Sequence, residues 1–222
     1  MKEKFDNSQH QKFINYFNIK KEPSNIELGF YKKTEKYIKF IKWIPGLKMV
    51  WIWNSIAMNC ADKNSDIDLL IVTTNNSMWL NRILITLIFT ILWVRKTPKK
   101  HAWKFCLSFF CTIDWLDFNS WKLKNDIYLY FWILYFKPIL NIDNTYELFL
   151  EKNNIKQTNI KIQNKNSNKF IWFIDTILKN IFLPRTLKHF EEIWKPYWVM
   201  INDNMLKFHN WDIRGKIKDT IL

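Results

Sequence analysis

The chain has 222 residues, 48% hydrophobic and 18% aromatic, which suits one domain with or without a helical extension and excludes a disordered chain. It is strongly basic, with 34 Lys and Arg against 20 Asp and Glu and a net charge of +14. That balance favours an anionic partner such as nucleic acid, nucleotide or anionic lipid, but AT-rich codons produce the same excess of Lys, Asn, Ile and Phe, so charge alone decides little.

Residues 1–45 read as an N-terminal helical segment. A short helix and a loop with Pro23 lead to an amphipathic helix over 29–43, closed by Pro45-Gly46. Residues 46–150 follow as an α/β core. Lys48–Trp53 is rich in strand formers and reads as a first strand, Ser55–Cys60 opens a helix, and 62–65 is a turn. Asp66–Thr73 is a second strand, and Asn75-Asn76-Ser77 caps a helix over 78–94. The basic loop RKTPKKHAWK leads to a third strand, Phe105–Ile113, and a helix over 125–137 is stopped by Pro138.

Residues 151–168 are polar and read as a linker, and 169–222 as a helical C-terminal extension, broken at Pro184 and ending in a helix over NDNMLKFHNWDIRGKI. The most apolar run, Ile83–Val94, reaches roughly 18 Å as a helix against roughly 30 Å of bilayer hydrocarbon, so no stable membrane span is expected. Cys60, Cys106 and Cys111 are odd in number and lack a C-x-x-C spacing. They point to buried thiols in a reducing, cytoplasmic setting rather than to disulfides or zinc. The N-terminus lacks the apolar centre of a signal peptide.

Glycine is scarce and tryptophan abundant, 3 against 13, together 16. Average usage predicts roughly 16 glycines in this length. Two readings fit: a genuinely Trp-rich, Gly-poor protein, or tryptophans standing where glycine is expected because UGA codons meaning glycine were read as tryptophan. Trp53, Trp115 and Trp198 are the suspects from their turn-like surroundings, whereas Trp79 and Trp132 suit their apolar helical runs.

The stretch that carries chemistry is Asn54–Leu70, NSIAMNCADKNSDIDLL. Asp66 and Asp68 at i and i+2 on a strand project from one face, with Cα atoms roughly 6.5–7 Å apart. Two carboxylates at that spacing suit magnesium, which prefers oxygen ligands and keeps waters for substrate phosphates. Ser55 stands where the first strand runs into a helix, a place where backbone N–H groups and a hydroxyl meet phosphate.

This stretch resembles the nucleotidyltransferase motif of the DNA polymerase beta superfamily: Gly-Ser, a hydrophobic residue, Ala, any residue, Gly, about five residues, then Ser-Asp-hydrophobic-Asp-Leu. Ser55, Ala57, Ala61, Ser65, Asp66, Asp68 and Leu69 fall in register, while Asn54 and Asn59 replace the two glycines. Asn tolerates the left-handed region these turns require. Trp53 is bulky where phosphate must approach the backbone.

The resemblance implies an α/β (α+β) nucleotidyltransferase fold, a small mixed sheet flanked by helices. It implies transfer of a nucleoside monophosphate from a nucleoside triphosphate to an acceptor: a small molecule, a protein hydroxyl or an RNA end. Asp66 and Asp68 would hold Mg2+, and Asn54, Ser55 and Ser65 would bind the nucleotide. A third carboxylate on the third strand is part of the family pattern. Here the middle of that strand has none, so Asp114 at its end is the first candidate and Asp117 the second.

The rival reading is a non-catalytic module on the same fold that binds nucleotide, RNA or a partner protein; a membrane-surface role is a third. A carboxylate of Asp114 or Asp117 close to the pair favours the enzyme, and its absence favours binding. The basic group Arg95, Lys96, Lys99, Lys100, His101 and Lys104 reads as a solvated loop or a phosphate contact. Lys207 and Arg214 are weaker phosphate candidates, His209 reads as structural, and Tyr128, Tyr130, Phe131 and Tyr135 read as core packing.

Overall fold

A computed structural model describes residues 5–157, 165–193, 199–208 and 212–222. Helices α1 (Asn7–Phe17) and α2 (Asn25–Ile38) precede strand β1 (Leu47–Ile52), the single turn α3 (Asn54–Ala57) and β2 (Ile67–Thr73). Then come α4 (Met78–Ile91), β3 (Phe105–Thr112), α5 (Ile127–Leu134), β4 (Lys137–Asn141) and α6 (Thr145–Lys152). The chain ends with α7 (Lys169–Ile193), β5 (Val199–Ile201), β6 (Met205–Phe208) and α8 (Arg214–Ile221).

The strands form one mixed sheet in the order β4-β1-β2-β3-β6-β5, with β2 and β3 parallel and the other pairs antiparallel. The expected α+β class with a small mixed sheet holds. Strands one to three lie where the pattern placed them, as do α4 and α5 to within a few residues, whereas α2 begins four and ends five residues before the expected 29–43.

The central strands are buried on both faces, which explains their nearly continuous apolar sequence. Their alternation sorts two clusters. Met49, Trp51, Leu70, Val72, Phe109 and Cys111 pack with the aromatic residues of α1 and α5 and with Ile217 of α8. Val50, Ile52, Leu69, Ile71 and Phe110 pack with Phe30 of α2 and with Trp79, Ile85 and Phe89 of α4. The α5 aromatics are core, as expected: Phe131 stacks on Phe13 at 4.0 Å and Tyr128 is buried. Among the described residues, no helix is long and apolar enough to cross a membrane.

Three expectations about chain organisation change. α5 ends at Leu134, ahead of the expected stop, and residues 137–141, Pro138 among them, form a strand that pairs with β1. α7 runs through Pro184 without a break. The C-terminal part is not wholly helical, because β5 and β6 form a hairpin whose β6 pairs with β3. The described end of the polar linker is also anchored, since Asn75 N–H donates to the Lys165 carbonyl at 2.8 Å.

Ser77 is the N-cap residue of α4, but its hydroxyl bonds Thr74. The α4 start is capped instead by Asp175 of α7, which accepts from Leu80 N–H at 2.7 Å. A carboxylate there meets both an orphan donor and the positive end of the helix.

The glycine deficit also has a backbone trace, at tryptophans other than those suspected. Trp93 has φ 55° and Trp103 φ 60°, in the left-handed region, whereas Trp53 and Trp115 do not; Trp198 lies outside the described residues. Trp93 follows the C-cap of α4, with Val94 N–H bonded to the Phe89 carbonyl and Trp93 N–H to the Thr90 carbonyl. This is a Schellman ending, and the position Trp93 occupies is the one that favours glycine because a Cβ is strained there.

Candidate metal and nucleotide site

The site begins where β1 ends. Asn54 has φ 59° and Asn59 φ 54°, so both asparagines stand in the left-handed conformation that the motif's glycines would adopt. The turn between them returns the chain toward β2, and Glu27 of α2, fully buried, accepts from Ala61 N–H at 3.0 Å to fix its exit. Trp53 does not block this turn. Its side chain is buried and packs on Trp132 at 4.2 Å and Phe109 at 5.3 Å.

The alternation that sends Leu70 and Val72 to the α5 side carries Asp66 and Asp68 to the same face at the start of β2. Asn54 Nδ2 donates to Asp68 Oδ2 at 2.6 Å, and Lys96 Nζ pairs with Asp66 Oδ2 at 2.7 Å. Burial, then repulsion from Asp66, push the Asp68 carboxyl up to about 6 against the lowering effect of the Asn54 hydrogen bond. A half-buried pair of like charges behaves in this way until a cation joins it.

Cys106 lies opposite Asp68 in the parallel β2–β3 ladder. Ligand atoms of Asp66, Asp68 and Cys106 lie within 4.8 Å of one another. The Cys106 thiol donates to Ser108 Oγ at 3.2 Å, and burial, then the charge of Asp68, push its pKa up. It stands there as a neutral thiol.

A hard cation fits the carboxylates. Asp66 and Asp68 supply oxygen ligands, and Asn54 Oδ1, buried without a hydrogen-bond partner among the described residues, is one more oxygen beside them. The thiol is a soft donor that adds little for magnesium.

The other candidates separate from this cluster. Asp114 does not reach the pair. β3 starts beside Asp68 and runs parallel to β2, so Asp114 follows its far end, roughly 20 Å away at about 3.3 Å per residue. There it accepts from Asn75 Nδ2 at 2.7 Å. Asp117, also beyond that end, caps a 3₁₀ turn through Asn119 N–H.

Ser55 is half-buried in the turn next to Asn54. The Ser65 hydroxyl is engaged within its own turn, accepting from Asp62 N–H at 3.0 Å. Of the basic loop, Lys96 pairs with the acids. Arg214 is tied to Asp212 and Asp126, and Lys207 is buried on β6, so neither offers itself to phosphate; His209 lies outside the described residues.

Sequence reasoning missed Cys106 and the reach of Lys96 to Asp66. The available signal was the start of the third strand, which must lie beside the start of the second if the two run parallel. No protein-family profile, curated protein or solved structure matches the chain.

Proposed function

We propose that the chain binds a nucleoside triphosphate together with magnesium at the Asp66–Asp68 pair, on a frame of nucleotidyltransferase type. The observation that carries this reading is the joint geometry of the motif: two carboxylates on one strand face, hydrogen-bonded to an asparagine held at φ 59° in the turn before α3. Asp66 and Asp68 would hold the metal, and Asn54 orients the Asp68 carboxylate. Lys96, which pairs with Asp66, would face a phosphate oxygen of a nucleotide held at the pair. Bound magnesium would supply charge neutralisation and polarisation of the phosphates. Ser55 stays in the proposed nucleotide set and Ser65 leaves it, because its hydroxyl is already engaged.

Nucleotidyl transfer is the second reading, supported by the same pair. The neutral Cys106 thiol beside it counts against fast catalysis. A thiol offers sulfur where a third carboxylate would offer oxygen, and sulfur serves a second magnesium poorly. Binding is therefore the primary function proposed, with transfer weak.

Titration with a fluorescent ATP analogue, with magnesium or with EDTA, tests the first reading. Magnesium-dependent binding that disappears in Asp66→Asn/Asp68→Asn supports it, and binding indifferent to both contradicts it. Transfer of label from α-labelled triphosphates into RNA or cell extract tests the second.

A further inference from the structure

A cavity opens beside the acidic pair, along Cys106, Leu107 and Ser108 of β3, and extends between α4, α7 and the end of β6. Its volume is about 500 Å³. The ionisable side chains lining it include Arg82, Arg95, Lys96, Arg185 and His189, with no acid among the described lining residues. The described wall is therefore basic, and the acid tied to it is Asp66, paired with Lys96 at 2.7 Å.

Aromatic rings share the wall. Phe190 of α7 stacks on Phe208 of β6 at 5.0 Å and 12°, and the Arg82 guanidinium lies 4.1 Å from the centre of the Phe208 ring. Arg82 also donates to the Leu107 carbonyl at 3.4 Å. Burial, then the neighbouring Arg95, lower it to about 10, so it remains a cation at neutral pH. Arg95 and Arg185 are exposed at the rim. Lys96 lines the cavity and also pairs with Asp66, which makes it the junction between cavity and acidic pair.

The cations match the phosphates of single-stranded nucleic acid, while Phe208, covered by Phe190 and Arg82, holds the Arg82 guanidinium in the wall. The volume lies within the roughly 300–1,000 Å³ of small-ligand sites, so the cavity admits the end of a strand and excludes a duplex. We infer that this cavity binds the end of a single-stranded RNA and holds it beside the Asp66–Asp68 pair. The inference rests on the proposed nucleotide site only for what the strand end is brought to; binding of the strand itself does not require that site.

The test is fluorescence anisotropy of the full chain with a labelled single-stranded RNA oligonucleotide, over a range of salt concentrations. Arg95→Glu/Arg185→Glu reverses two rim charges without disturbing a buried side chain. Lys39→Glu/Lys42→Glu, on the exposed end of the α2 region, matches its change in net charge. The expected result is at least tenfold weaker RNA binding in the rim variant and less than threefold in the control, with the log–log salt slope of the rim variant shallower by about 1.4.

Magnesium-dependent binding of the ATP analogue should remain in the rim variant, and RNA binding should remain in Asp66→Asn/Asp68→Asn. Failure of the nucleotide proposal would thus appear in a different assay from failure of this one. Equal loss in rim variant and control would overturn the inference, as would undiminished RNA binding in a folded rim variant. Loss of ATP-analogue binding with RNA binding unchanged would instead assign the cavity to the free triphosphate and overturn it as well.

Discussion

Cys106 stands directly across the β2–β3 ladder from Asp68, its sulfur within 4.8 Å of a carboxylate oxygen. In this position a side chain either completes a three-ligand acidic site or leaves it with two. Cys106→Asp should convert the pair into a carboxylate triad. Magnesium-dependent transfer from an α-labelled triphosphate is expected to rise at least tenfold, a threshold set below the roughly 100- to 10,000-fold of a fully positioned general base. No increase, in a variant that still binds nucleotide, would show that the third position is not what limits transfer.

The acidic pair should cost stability in the absence of metal. Asp68 titrates at about 6 in the folded chain, against an ordinary value of 3.8. The folded state therefore favours the protonated acid. That contribution is full below pH 3.8 and is lost as pH rises through about 6. Asparagine resembles the protonated form at every pH. Asp68→Asn should therefore be more stable than the parent by roughly 1–3 kcal/mol at pH 8, with the gap closing toward pH 4. Urea unfolding at the two pH values, without magnesium, checks the sign, and a destabilised variant at pH 8 would refute it.

Asn54 has two tasks, the left-handed backbone and the hydrogen bond to Asp68. Asn54→Gly keeps the first and removes the second; Asn54→Ala removes both. Glycine should leave stability within about 1 kcal/mol of the parent, and alanine should cost about 1–2 kcal/mol more than glycine. Both should weaken magnesium-dependent nucleotide binding. Thermal melts and the ATP-analogue titration separate the two effects.

Trp93 is 82% exposed and sits at φ 55° in the helix ending of α4. Its side chain offers little packing to set against that strain. Trp93→Gly is expected to gain about 1 kcal/mol, or roughly 2–4 °C in Tm for a chain of this size. Trp103 shares the backbone strain but packs on Phe30 at 4.0 Å and donates from Nε1 to the Lys63 carbonyl, so its glycine variant should be closer to neutral. Trp132→Gly, deep in the core, should cost at least 3 kcal/mol. A Trp93→Gly variant less stable than the parent would contradict the view that this position calls for glycine.

These contrasts show which parts of the molecule were legible in the sequence. β1, β2 and β3 were read correctly because strands buried on both faces carry long runs of apolar, strand-forming residues. β4, β5 and β6 were missed because three to five residues are too few to establish a period, and Pro138 and the Asn-Asp-Asn turn suggest other structures. Proline at position 184 suggested a break, yet α7 continues through it.

At the site, Asp66, Asp68 and Asn54 were legible because two residues of strand spacing and one tight turn are local facts. The third position was not. Placing it requires the direction of β3 relative to β2 and its register, and the parallel pairing turns the start of β3, not Asp114 beyond its end, toward the acids. The glycine deficit was visible in composition, but only backbone geometry identified Trp93 and Trp103.

The most direct test of the central claim is the affinity of the full chain for a nucleoside triphosphate, measured by calorimetry with and without magnesium, in the parent and in Asp66→Asn/Asp68→Asn. The proposed site predicts saturable binding that requires magnesium and is lost in the double variant although the variant remains folded. Equal heats in parent and variant, or no magnesium-dependent binding in a folded parent, would contradict the assignment of this pair as a nucleotide site.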